Sequence, residues 1–208
     1  VAMATALLPQ YARAQTISFT DPRIKASSVS FPSPGGTAEA MRGYLVQPTG
    51  NGPFPAVLVI HENRGLNPYI EDVARRLAAA GFLALAPDGL SSLGGYPGND
   101  DDGRAMQAKL DQARLRTDML NAARWLKGNQ LSNGKLGVVG FCWGGGTSNF
   151  LAVALGDELQ AAVPYYGAAA ETARVKDIKA PLLIHYAEND TNINAMWPAF
   201  EAALKAGN

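Results

Sequence analysis

An unbroken apolar run at residues 56–60 constrains the fold of this chain more than any other feature of its sequence. Such a run is typical of a parallel strand whose two faces are both covered by helices. Strand and helix patterns alternate after it, which predicts a mostly parallel α/β sheet with right-handed crossovers and helices on both faces. We expect further strands at 82–86, 136–139, 161–165 and 181–186, and helices near 68–80, 106–126, 145–155 and 193–206.

A hairpin is predicted before this alternating region. Two β-rich stretches, 26–31 and 40–47, are separated by the turn sequence Pro-Ser-Pro-Gly-Gly at 32–36. A chain of 208 residues with 47% hydrophobic content can bury one substantial core. We therefore assign residues 26–208 to one domain and residues 1–25 to an N-terminal arm.

Charge and cysteine content narrow the classes of partner. Eighteen basic and eighteen acidic residues leave no net charge, so we expect neither nucleic acid nor a membrane as a partner. A single cysteine excludes an intrachain disulfide and multi-cysteine zinc sites. The acidic run at 100–102 does not make an EF-hand loop, because Gly98 and Lys109 occupy the places of its first and last ligands. We expect no metal.

The single cysteine, Cys142, lies in a sequence motif that is typical of a catalytic nucleophile. A strand pattern at 135–139 runs into Gly-Phe-Cys-Trp-Gly-Gly-Gly at 140–146 and then into a helix, which is the context of a nucleophile elbow. Glycines two positions on either side of Cys142 leave room for the sharp turn. A thiol at a helix N-terminus is expected to have a lowered pKa. The alternative is that Cys142 is a small buried hydrophobe.

Three segments together resemble the dienelactone hydrolase family of the α/β-hydrolase superfamily. They are the elbow at 140–145, the His-Glu-Asn-Arg-Gly loop at 61–65 and Glu-Asn-Asp at 188–190, and their order and spacing fit over roughly residues 40–206. The resemblance implies an α/β-hydrolase fold and a hydrolase of small carboxylic esters or lactones. It also implies a cysteine, aspartate and histidine triad that works without a cofactor.

Carried over position by position, the resemblance implies that Cys142 is the nucleophile and Asp190 the triad acid. Glu62 matches the carboxylate that holds the thiol in the resting enzyme. The backbone N–H groups of Asn63 and Trp143 match the oxyanion hole.

Other side chains near the carboxyl ends of the predicted strands are candidate pocket residues, because chemistry collects there in parallel sheets. Structural roles stay open for the carboxylates: Asp190 is also placed for a turn or a helix N-cap, and Glu62 for a simple ion pair. The aromatic candidates are equally suited to packing. The candidate pocket residues are His61, Arg64, Tyr165 and Tyr166.

The triad histidine is absent from its expected place. In this fold it follows the acid after one further strand, but no histidine follows Asp190. His185 lies in an apolar strand run and fits a core role, while His61 fits a pocket or structural role. We therefore expect a domain that lacks its last strand and helix, with a companion C-terminal segment of the same protein supplying the base. The competing hypotheses are a non-catalytic small-molecule-binding protein on this fold and a serine esterase using Ser148, which occupies no elbow.

The first residues bear on where the protein is located. Residues 4–14 are small and apolar, and Ala-Arg-Ala at 12–14 before Gln15 has the form of a signal-peptidase site. One expectation is the remnant of an export signal on a periplasmic or secreted protein. The other is an ordinary arm on a cytoplasmic protein, because a basic n-region is missing from the segment.

Overall fold

A mixed sheet of six strands organises the computed structural model, which describes residues 15–207. Its strands are β1 (Ile24–Pro32), β2 (Ala40–Pro48), β3 (Phe54–Ile60), β4 (Leu83–Pro87), β5 (Ser132–Phe141) and β6 (Ala161–Tyr165). They lie in the order β1-β2-β4-β3-β5-β6. β2 pairs antiparallel with β1 and β4, and the remaining pairs are parallel. The predicted opening hairpin and mostly parallel sheet are therefore confirmed.

Helices connect the strands, and several of them begin at side-chain caps. They are α1 (Pro68–Ala79), α2 (Asp100–Gln107), α3 (Gln112–Lys127), α4 (Trp143–Leu155), α5 (Thr191–Asn194) and α6 (Trp197–Gly207). Short 3₁₀ turns lie at Ser91–Leu93, Gly156–Glu158 and Thr172–Asp177. Asn67, Asn99 and Asp111 each accept backbone N–H groups at the start of α1, α2 and α3, as polar N-caps do.

Two predicted helices are each divided in the structure. The stretch 106–126 is wrong as one helix because Asp111 has an extended backbone and caps a fresh start, so α2 ends before α3 begins. The stretch 193–206 is likewise divided between α5 and α6. Pro198 lies in the first turn of α6, where its missing N–H costs no helical hydrogen bond.

The segment 181–186 lies beside β6 but forms only isolated parallel bridges, Ala162 with Leu182 and Tyr165 with His185. Backbone hydrogen bonds join segment 181–186 to β6 on either side of a gap. Leu183 N–H donates to Ala162 O, and Tyr166 N–H donates to His185 O. The gap falls at Pro164, which has no N–H to donate. The predicted regular strand is therefore interrupted by a proline in its neighbour.

The two faces of the sheet are covered unequally. α3 and α4 cover one face, where Leu58, Met119 and Leu151 are fully buried. α1 packs on the other face, where its Ile70 and Val59 of β3 are buried together. Beside α1 an apolar groove of 790 Å³ crosses β3, β5 and β6. Residues lining this groove include Val57, Tyr69, Val139, Phe141, Val163 and Tyr165.

A buried ion pair attaches the N-terminal arm to α1. Asp72 Oδ1 accepts the N–H groups of Thr16 and Ile17, both at 2.9 Å. Arg75 Nε donates to the carbonyl of Ile17 at 2.7 Å, and Arg75 Nη2 lies 3.6 Å from Asp72 Oδ1. The arm is thereby fixed from Thr16 onward.

The remaining predictions about the N-terminus concern export and membranes. The predicted signal-peptidase site at 12–14 lies outside the described residues. Within residues 15–207, no helix has the length and apolar character needed to cross a membrane. β1 begins at Ile24, next to the predicted boundary between arm and domain.

Candidate active site

Cys142 occupies a strained turn between β5 and α4. Its backbone has φ 54° and ψ −112°, a conformation that side chains rarely adopt. Two hydrogen bonds hold the turn: Cys142 N–H donates to Tyr165 O, and Gly146 N–H donates to Cys142 O, each at 3.0 Å. The neighbouring strand and the first turn of α4 thus fix the conformation, and the thiol remains partly exposed.

Glycines flank this turn because there is no room for side chains. A Cβ on Gly140 would collide with the carbonyl oxygen of Gly144, and a Cβ on Gly144 would collide with the carbonyl oxygen of Ile60. Both contacts are with backbone, which cannot rotate away. The first turn of α4 therefore packs directly on the ends of β3 and β5.

Burial raises the pKa of the Cys142 thiol above its ordinary value, contrary to the expectation of a lowered pKa. Desolvation is the largest cause, and the negative charges of Glu62 and Asp190 act in the same direction. The backbone N–H of Trp143 and the guanidinium of Arg64 act in the opposite direction and are outweighed. The expectation was wrong because it counted the helix N-terminus and left out burial. The resting thiol is mainly protonated at neutral pH.

Glu62 follows β3 and contacts two side chains beside the thiol. Arg64 Nε lies 3.3 Å from Glu62 Oε2, so the ion pair considered from the sequence is present. The Tyr166 hydroxyl lies near Glu62, and its pKa is raised to about 12, mainly by burial and then by the Glu62 charge. Tyr166 itself has a positive φ of 39°.

Asp100 belongs to the acidic run at 100–102, where we expected no metal. It joins Glu62, Arg64 and Tyr166 through a contact with Arg64. Its Oδ2 accepts from Arg64 Nη1 at 3.0 Å, and its Oδ1 accepts from the Tyr96 hydroxyl at 2.8 Å and from Asn67 Nδ2 at 3.3 Å. These hydrogen bonds hold the pKa of Asp100 below its ordinary value despite burial, which is the largest single influence and opposes them. No local pattern links positions 64 and 100, so sequence reasoning missed this pair.

The two residues of the expected oxyanion hole lie at neighbouring strand ends. Asn63 follows β3, and Trp143 begins α4 directly after Cys142. The backbone N–H of Trp143 acts to lower the pKa of the thiol. The Trp143 indole donates to Gln112 Oε1 at 3.0 Å and stacks on the His61 ring, with 5.7 Å between ring centroids.

Asp190 lies close enough for its charge to act on Cys142. It is also the N-cap of α5, because its Oδ1 accepts the N–H of Ile193 at 3.1 Å. A cap occupies one carboxylate oxygen and leaves acceptor capacity on the other. The two roles considered from the sequence are therefore compatible.

Among residues 15–207, no hydrogen bond or ion pair joins a histidine to Asp190. His61 is fully buried, its Nδ1 bonds the carbonyl of Glu62, and its Nε2 accepts the N–H of Gly89 at 3.0 Å. Burial lowers the pKa of His61, so it is a neutral group held by backbone on both sides. The ring of His185 stacks on Tyr165, with 4.3 Å between centroids.

Aromatic rings continue from the elbow across the sheet. Phe141 stacks on Tyr165 with centroids 5.0 Å apart, and contacts Tyr69 and Tyr166 at 6.3 Å and 6.4 Å. Tyr165 and Tyr166 were expected from the sequence, whereas Tyr69 and Phe141 were not. Among residues 15–207, no three acidic, histidine or cysteine side chains converge as a metal site would require.

Ser148 is not available as a nucleophile. It is fully buried within α4, and its hydroxyl donates to the carbonyl of Gly144 at 2.9 Å. The serine-esterase hypothesis therefore has no support in the geometry.

The sheet order, the helices on both faces and the strained residue between β5 and α4 define an α/β-hydrolase. The chain belongs to the dienelactone hydrolase family, whose sequence profile matches residues 41–208. The resemblance stated from the sequence is thereby confirmed.

Relatives and solved structures agree with this assignment. An Escherichia coli K-12 protein, provisionally named hydrolase fragment YghX, is 63% identical over 106 residues, which are 50% of this chain and 90% of that protein. A Salmonella typhi protein, provisionally named carboxymethylenebutenolidase, is 31% identical over 90% of this chain and 74% of its own length. A crystal structure from Klebsiella pneumoniae, described provisionally as a dienelactone hydrolase, has a TM-score of 0.74 at 28% identity and covers 89% of this chain and 82% of that one.

Proposed function

We propose that this chain hydrolyses carboxylic esters or lactones with Cys142 as the nucleophile. The thiolate attacks the carbonyl carbon, and the backbone N–H groups of Asn63 and Trp143 stabilise the resulting oxyanion. The alkoxide then leaves with a proton, and water hydrolyses the thioester. The observation that carries the proposal is the strained backbone of Cys142, since such strain persists where surrounding structure holds a reactive group in place.

Glu62 keeps the resting nucleophile protonated in this proposal. Its negative charge raises the pKa of the Cys142 thiol, and Arg64 and Tyr166 both contact its carboxylate. Activation then requires that a base take the thiol proton or that Glu62 be displaced from the thiol. A protonated resting thiol also resists oxidation, because the thiolate is the reactive species.

We assign the base to a histidine on a C-terminal segment of the same protein, beyond this sequence. Among residues 15–207, no hydrogen bond or ion pair joins an imidazole to Asp190, and both ring nitrogens of His61 are bonded to backbone. Segment 181–186 offers an edge for another strand, because its 183 and 185 N–H groups already face β6 and Leu183 is 60% exposed. The groove beside α1 offers an apolar face for a helix. The chain spans 74% of the Salmonella typhi relative, so that relative has further residues of its own.

The test is release of p-nitrophenol from p-nitrophenyl acetate, measured with and without the C-terminal segment co-expressed. We expect turnover with the segment, none in Cys142→Ala, and near wild-type rates in the matched control Ser148→Ala. Persistent activity in Cys142→Ala, or its loss in a folded Ser148→Ala, would contradict the assignment of the nucleophile. Inactivity of the wild type with the segment present would favour the non-catalytic binding protein instead.

A further inference from the structure

The N-terminal arm carries a sequence motif that the proposed function does not use. Ala12 and Ala14 are small residues at the third and first positions before Gln15, which is the pattern of a signal-peptidase site. The stretch before them, residues 4–11, is mostly small and apolar. The bond that precedes Gln15 is therefore a candidate site of proteolytic processing.

The structure places the fixed part of the arm directly after this bond. Gln15 is exposed, whereas the N–H groups of Thr16 and Ile17 both donate to Asp72 Oδ1 at 2.9 Å. The carbonyl of Ile17 accepts from Arg75 Nε at 2.7 Å. A cut before Gln15 removes none of these hydrogen bonds, so the arm stays attached to α1 after processing.

The carboxylate that holds the arm has one oxygen without a hydrogen bond. Asp72 is 1% exposed and Arg75 is 2% exposed. Asp72 Oδ2 and Arg75 Nη2 are both buried, and neither makes a hydrogen bond within residues 15–207. Glu71 Oε2 lies 3.9 Å from Arg75 Nη1, so two carboxylates and one guanidinium lie together at this point. Because a buried carboxylate oxygen without a partner is costly, the site favours one further donor, and a cationic donor most of all.

A new chain terminus at Gln15 supplies that donor. Bond lengths place the nitrogen of Gln15 about 3.5 Å from Thr16 N, and Thr16 N lies 2.9 Å from the Asp72 carboxylate. We propose that a leader peptidase hydrolyses the bond between Ala14 and Gln15 and that the new α-ammonium group pairs with Asp72. Water adds across the amide, so that Ala14 leaves with a carboxylate and Gln15 keeps the ammonium. The proposal is independent of the chemistry at Cys142, and it takes the export hypothesis over that of an ordinary arm.

Cleavage is tested by incubating the chain with a purified leader peptidase in detergent micelles and recording intact masses. We expect one new N-terminus, at Gln15. Ala14→Leu should block the cut, because the site requires a small residue there. Arg13→Gln is the matched control: it changes the residue between the two alanines and should leave cleavage unchanged. Absence of a cut before Gln15, or equal cleavage of the two variants, would overturn the processing site.

The ion pair is tested on the chain that begins at Gln15. Glutaminyl cyclase joins the α-nitrogen to the side-chain carbonyl carbon with loss of ammonia, so it removes the charge of the terminus and changes no other residue. We expect this cyclisation, confirmed by intact mass, to lower the Tm of the wild type by about 2–4 °C.

The same treatment should lower the Tm of Asp72→Asn by less than half as much, since asparagine keeps an acceptor oxygen and removes the charge. Asp101→Asn, which neutralises an exposed carboxylate of α2, should respond as the wild type does. An unchanged Tm in the wild type, or an equal fall in Asp72→Asn, would overturn the ion pair and would indicate a buried water as the partner of Asp72 Oδ2.

Discussion

Replacing Gly140 with alanine puts a methyl group into the tightest part of the elbow. The added Cβ would lie 2.5 Å from the Ser148 hydroxyl oxygen and would collide with the carbonyl oxygen of Gly144. Because carbon and oxygen approach no closer than about 3.3 Å without strain, the start of α4 must shift by roughly 1 Å. Overpacking of this kind costs about 3 kcal/mol, which lowers the Tm of a domain of this size by about 6–12 °C.

Gly137→Ala is the matched control, because Gly137 lies on the same strand. The nearest atom to its added Cβ is Ala161 O at 3.7 Å, an ordinary contact. We expect this variant to remain within about 0.5 kcal/mol of wild type. Urea unfolding followed by tryptophan fluorescence compares the two midpoints at equal m-value. Equal midpoints for Gly140→Ala and Gly137→Ala would refute the packing argument for the elbow.

Charge and capping at other positions give further expected results. Glu62→Gln removes a negative charge that raises the pKa of the Cys142 thiol, so the pH midpoint of iodoacetamide alkylation should move to lower pH; an unchanged midpoint would show that Glu62 does not act on the thiol. Asp72→Ala removes the buried carboxylate beside Arg75 and the acceptor of two arm N–H groups and should lower the free energy of unfolding by about 3–5 kcal/mol. Arg124→Ala opens an exposed pair and should cost less than about 1 kcal/mol; equal losses in urea titrations would contradict the role of the buried pair. Asp190→Ala removes a helix cap and should cost about 1 kcal/mol, whereas Asp190→Asn keeps the cap; equal thermal midpoints of the two variants would argue against capping.

Local chemistry made much of the fold predictable from the sequence. The strand predicted at 161–165 has the same bounds in the structure. A short apolar run between polar turns is typical of a strand that helices cover on both faces of the sheet. The predicted helix at 106–126 is divided at Asp111. The apolar pattern would continue the helix through this residue, but its side chain caps the start of α3 instead. The gap in the backbone hydrogen bonds between 181–186 and β6 is caused by Pro164 of β6. It could not be predicted because neither segment alone shows which strand it pairs with.

The candidate site was predictable where it depends on neighbouring residues and not where it depends on tertiary contacts. The glycines around Cys142 indicate the elbow, and they all lie within one short segment of sequence. The pair between Arg64 and Asp100 joins positions 36 residues apart in the chain, and nothing in either segment specifies the other. The raised pKa of the thiol depends chiefly on burial, which is a property of the packed domain.

The central claim is that Cys142 forms a thioester with an ester substrate. The most direct measurement is the intact mass of the chain after incubation with p-nitrophenyl acetate at mildly alkaline pH, followed by peptide mapping of the adduct. At mildly alkaline pH hydroxide can take the thiol proton, so acylation of Cys142 can be measured in this chain without a histidine base. We predict one acetyl group on Cys142 that hydroxylamine removes and that Cys142→Ala lacks. An unmodified Cys142, with acetyl groups only on lysines, would contradict the assignment of Cys142 as nucleophile.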